Sequence, residues 1–76
     1  MTQTKHAYAI VIEKTSTGFS CYAPDLPGCV ASARTKKQLE KLMAEAIALH
    51  IASLREHGNN VPTPSSIVEY IEPAVA

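Results

Sequence analysis

The chain has no tryptophan, one phenylalanine and three tyrosines, so aromatic residues make up only 5% of its 76 positions. Its apolar share is 46%, which leaves a core built mainly from Ile, Val, Leu and Ala. At ~25 cal/mol per Å² buried, such a core in so short a chain leaves little margin over conformational entropy. Association with further copies or with a partner is the expected remedy. The length suits a single domain spanning residues 1–76, with its core over about 7–71. An excess of charge is missing too, because seven basic and seven acidic residues cancel. Nucleic-acid binders normally carry a basic excess, so direct nucleic-acid binding is not expected. No run approaches the ~20 apolar residues that span a bilayer. Residues 1–6 are polar, and the apolar run 7–12 is too short for a signal-peptide core, so a cytoplasmic protein is expected. Cysteine is scarce: Cys21 and Cys29 match neither a metal-ligand spacing nor a redox motif. In a reducing compartment they read as thiols and small buried hydrophobes.

What is present reads as β-β-β-α-β. Residues 7–12 (AYAIVI) are β-branched and aromatic enough for a strand, with Tyr8, Ile10 and Ile12 on the larger face. Residues 14–18 read as a hairpin turn, with Gly18 free to take positive φ. A second strand covers 19–23 and stops at Pro24-Asp25-Leu26-Pro27-Gly28, where Pro-Gly favours a tight turn. A third strand covers 29–34, and residues 67–71 form a fourth after a proline-stiffened loop. Between them, Thr35 and Gln38 fit a capping box. The helix they open runs to about His57, and Gly58 closes it. The expected fold is an α+β two-layer sandwich: an antiparallel meander covered by one long helix and rejoined by the last strand.

The helix carries more apolar surface than one sheet needs. Leu39, Leu42, Met43, Ala46, Ile47, Leu49, Ile51 and Leu54 fall on an arc of roughly 200°, against the ~100° stripe of an ordinary surface helix. Leu49 and Ile51, at the edges of that arc, point to a second contact. A dimer or tetramer of this chain is therefore expected.

Three stretches resemble one family. Gly18 through Cys29 (GFSCYAPDLPGC) is similar to the signature of the HicB-like antitoxins. The helix segment 45–51 (EAIALHI) resembles that family's helix, and 61–65 (VPTPS) its proline loop. The resemblance covers roughly residues 7–71. It implies a partial ribonuclease-H-like fold and a partner, the HicA-type toxin, an mRNA-cleaving protein whose catalytic His the antitoxin masks. Many members carry a further C-terminal DNA-binding domain. Here five residues follow Ile71, so operon repression by this chain alone is not expected.

The ribonuclease-H likeness raises nuclease chemistry, which needs clustered carboxylates to hold Mg²⁺. The first strand holds no acid before Glu13, and Asp25, Glu40, Glu45, Glu56 and Glu69 are dispersed. They read as a solvated surface, so no catalytic, metal or cofactor residue is assigned and no enzyme is expected. His50 lies on the apolar arc with no second ligand in the pattern, which suits a neutral core or interface histidine. Leu49, His50 and Ile51 are thus candidates for core or oligomer contact. Asp25 either caps its own turn or touches a partner. Tyr8, Tyr22 and Tyr70 join it as candidate partner anchors, since tyrosine combines area with a polar tip. Two functions fit: an antitoxin that covers a toxin's active site, or an orphan self-associating subunit with no toxin.

Overall fold

The computed structural model describes residues 7–75; His6 lies outside them. Its elements are β1 (Val11–Lys14), β2 (Phe19–Tyr22), β3 (Val30–Ala33) and α1 (Lys36–Glu56). The three strands form one antiparallel sheet in the order β1-β2-β3. This is the expected α+β meander followed by one long helix. The boundaries differ, and for physical reasons.

Strand β1 begins at Val11, not Ala7, because Val11 faces Tyr22 and β2 offers no further partner beyond it. Pro24 then removes a backbone donor and the chain turns away. At the other end Lys14 pairs with Phe19 and belongs to the strand. The hairpin closes through Thr15 N–H donating to the Gly18 carbonyl at 2.9 Å. Gly18 does not take positive φ. Glycine is needed there because an added Cβ would sit 2.3 Å from the Ala33 carbonyl oxygen and 2.7 Å from the Arg34 Cα.

The 23–29 loop is two consecutive turns. Leu26 N–H donates to the Ala23 carbonyl, and Cys29 N–H to the Leu26 carbonyl, both at 3.0 Å. Pro27 and Gly28 occupy the central positions of the second turn. Gly28 has φ +84°, the conformation a type II turn requires of its third residue. Ala23 N–H to the Cys29 carbonyl (3.2 Å) seals the base. The folded loop drops Leu26 into the core with no exposed surface.

Helix α1 starts as its sequence predicts. Thr35 is extended (φ −121°, ψ 155°), and its hydroxyl accepts from Gln38 N–H at 3.1 Å. It ends in a Schellman motif. Asn59 N–H donates to Leu54 and Gly58 N–H to Arg55, with Gly58 at φ +72°. The helix lies chiefly across β3 and also touches β2. Directly paired residues share a sheet face, so the register puts Ile12, Cys21 and Ala31 on one face with Phe19 and Ala33. This is the face α1 covers. Cys21, Ala23, Leu26, Cys29, Leu39 and Met43 form the buried core, flanked by Tyr8, Ile10, Ile12, Phe19, Ala46 and Ile47. Burying Leu26, Leu39 and Met43 fully stabilises the fold by about 1.5–3 kcal/mol each.

The fourth strand is absent. Residues 67–71 belong to no strand or helix. Ile67, Tyr70 and Ile71 are 82%, 96% and 85% exposed. A strand needs a ladder partner, and among the described residues this segment finds none.

Candidate protein-binding surface

The sheet face turned away from α1 carries Val11, Tyr22 and Val30 in one cross-strand row, and Glu13, Ser20 and Ser32 in the next. No helix covers it. Tyr22 is 42% and Val30 64% exposed. Val30 also lines a shallow depression with Gly28, Cys29, Ala46, Leu49 and His50. Leu49 there is 72% exposed, whereas His50 is half-buried. An apolar band therefore runs from Tyr22 through Val30, over the free edge of β3, to Leu49 on the helix. It places a tyrosine, two aliphatic side chains and a histidine together, a composition suited to holding another protein.

Ile51 belongs elsewhere. It is half-buried and shares a depression with Tyr8, Arg55 and residues 61–64. The proline loop thus provides, from within the chain, the second contact that the broad helical arc demanded for Ile51. Tyr8 is half-buried against the same loop, and its hydroxyl donates to the Pro62 carbonyl. Its polar tip is used internally. Tyr70 lies by β1, the edge of the sheet remote from β3, in a depression it shares with Ile10, Val11, Ile12, Lys14 and Lys36. The three tyrosines do not converge on one surface.

Asp25 does not cap its own turn. Its carboxylate reaches a segment 40 residues downstream. Oδ2 accepts from Ser65 N–H (2.9 Å) and Ser66 N–H (3.0 Å), and Oδ1 from the Ser66 hydroxyl (2.8 Å) and the Ser65 hydroxyl (3.2 Å). Four donors facing one carboxylate favour its charged form and hold its pKa down at about 2, the Ser66 and Ser65 amides contributing most. The rigid Pro24–Pro27 loop thereby fastens the end of the proline loop to the sheet. Ser65 and Ser66 had no signal in the sequence, since nothing local links them to Asp25.

Both cysteines are free and buried. Burial raises the pKa of each thiol, and for Cys29 the neighbouring Cys21 adds to the rise. Neither has the lowered pKa of a nucleophile. Among the described residues, no group of three or more His, Cys, Asp or Glu is placed to hold a metal ion. No helix among them is long and apolar enough to cross a membrane.

Comparison with known proteins gives this geometry a family. Residues 8–74 match the model of the HicB_like antitoxin of bacterial toxin-antitoxin systems. A 14.9 kDa protein from the rep-hol intergenic region of Haemophilus phage HP1 is 34% identical over 64 residues, 84% of this chain and 48% of that one. The chain thus matches about half the length of this phage relative. A UPF0150 protein of Thermoplasma acidophilum is 36% identical over 56 residues, covering 72% of this chain and 81% of that protein. Among solved structures, a chain of the HicA3 and HicB3 toxin-antitoxin complex superposes with a TM-score of 0.70 at 38% identity, over 79% of this chain and 70% of that one. With its meander, its capped helix and its proline loop all inside the matched span, the chain belongs to the HicB-like antitoxin family.

Proposed function

We propose that this domain acts as an antitoxin, binding a HicA-type mRNA-cleaving toxin in the cytoplasm and masking its active site. The observation that carries the reading is the exposed band of Tyr22, Val30 and Leu49 on a chain whose structural relative comes from a toxin-antitoxin complex. Tyr22 is the central anchor, because it combines a large apolar ring with a hydroxyl left free to meet a polar partner. Leu49 and His50 extend the contact onto the helix. Asp25, Tyr8 and Ile51 act indirectly, by fixing the proline loop against the body. The domain works by occupation and performs no chemistry of its own.

Co-expression with a HicA-type toxin tests this. The two should co-purify, and growth arrest by the toxin alone should be relieved. Arrest that persists in the presence of this chain would remove the proposal. A second reading, an orphan subunit that only self-associates, is favoured by one separate observation: the exposed apolar segment 67–71, which has no ladder partner in its own chain.

A further inference from the structure

Among the described residues, strand β1 sits at one edge of the sheet and pairs only with β2. Among them its outer edge has no ladder partner. The same chain carries a second unpaired element, residues 67–71 (IVEYI), rich in the β-branched and aromatic residues that favour strands. Its amides and carbonyls take part in no hydrogen bond among the described residues. The segment already passes alongside β1, since Val68, Glu69 and Tyr70 share a depression with Ile10, Val11, Ile12 and Lys14. Yet no ladder forms. Ser65 and Ser66, immediately before it, are held by Asp25, three residues past the end of β2.

The radius of gyration is 14.4 Å. A compact chain of this length has about 11 Å. The 21-residue helix contributes to this length, and Ile67 (82%), Tyr70 (96%), Ile71 (85%) and Val75 (91%) are left largely open to solvent although the segment runs beside β1.

We propose that residues 67–71 become the fourth strand between two copies of this chain, each copy's segment adding to the outer edge of β1 of the other. The chain is self-complementary in the way a two-fold interface requires. Charge is compatible with a segment in this position, since Glu69 shares the depression with Lys14 and Lys36. The exposed Ile67, Tyr70 and Ile71 supply apolar surface that such an exchange would cover in part. Exchange would remove two liabilities at once, a bare sheet edge and a bare apolar strand. It leaves the Tyr22 band free, so the dimer would present two copies of that surface. This inference stands apart from toxin binding and concerns the opposite edge of the sheet.

The test uses the full chain. Isotope-labelled and unlabelled copies are unfolded together and refolded as a 1:1 mixture, and isotope-filtered nuclear Overhauser contacts are recorded. Contacts between Tyr70 or Ile71 of one copy and Ile10 or Ile12 of the other are expected. Contacts that are wholly intramolecular, or a segment that orders only when a different protein is added, would overturn the exchange. Sedimentation of Val68→Pro and Glu69→Pro supplies a second readout. Successive strand residues point their N–H groups to opposite sides, so at least one variant loses a ladder donor and should raise the dimer dissociation constant at least about tenfold. Helical circular dichroism should be unchanged, because the segment lies outside the core. Dimers as tight as the parent in both variants, or a monomeric parent at high concentration, would equally overturn it.

Discussion

Residues 23–29 and residues 67–71 are both short and contain apolar side chains, but the structure treats them oppositely. The first closes on itself through three backbone hydrogen bonds within seven residues and buries Ala23, Leu26 and Cys29. The second makes no backbone hydrogen bond among the described residues and leaves Ile67, Tyr70 and Ile71 more than four-fifths exposed. Both have strongly apolar residues, so apolarity does not separate them. Turn chemistry does. Pro24, Pro27 and Gly28 preset dihedral angles that bring donor and acceptor together locally. A strand cannot satisfy itself and must borrow an edge.

Substitutions sharpen this contrast in order of size. Leu26→Ala empties a fully buried site and should lower stability by about 2–5 kcal/mol in urea unfolding. Ile71→Ala, on the exposed segment, should change subunit unfolding by no more than ~0.5 kcal/mol at concentrations below dimerisation. Equal losses from the two would dissolve the distinction. Gly18→Ala should cost about 1–3 kcal/mol, because its methyl group would have to displace the backbone of β3. Gly28→Ala should cost roughly 1–2 kcal/mol through positive φ alone, since nothing stands within 4 Å of the added Cβ. Thr35→Ala, which removes the helix cap, should cost about 1 kcal/mol.

The Asp25 clamp gives a pH prediction. Its carboxyl has a folded pKa of about 2, below the ordinary 3.8. A depressed carboxylate adds stability that is present above the unfolded value and is lost as pH falls through the folded one. The window therefore runs from about pH 4 down to about pH 2. Amide signals of Ser65 and Ser66 should shift together across it, with little change above pH 5. In Asp25→Asn the same transition should disappear. Persistence of the transition in that variant would show that another group fastens the loop.

Legibility in the sequence followed the range of the interactions. The helix could be read nearly to the residue, because Thr35, Gln38 and Gly58 act on backbone groups within a few positions. The three-strand meander was equally plain from its turns. The first strand reads from residue 7 in the sequence but starts at Val11, since its true start depends on where β2 runs out of partners. Gly18 was understood as a conformational glycine, but what it accommodates is β3, fifteen residues downstream. Asp25 stood out as important, yet its partners lie 40 residues away. The Tyr22, Val30 and Leu49 band required the strand register and the helix placement together. Residues 67–71 have strand character in the sequence, and only the geometry shows that they join no ladder among the described residues.

The central claim is that apolar surface left open around Tyr22 is an interface for another protein. Calorimetric titration of a HicA-type toxin into the parent chain and into Tyr22→Arg measures this directly. The parent should bind, and the variant should lose at least about 30-fold in affinity while unfolding at the same urea concentration. Identical affinities for the two proteins would contradict the account.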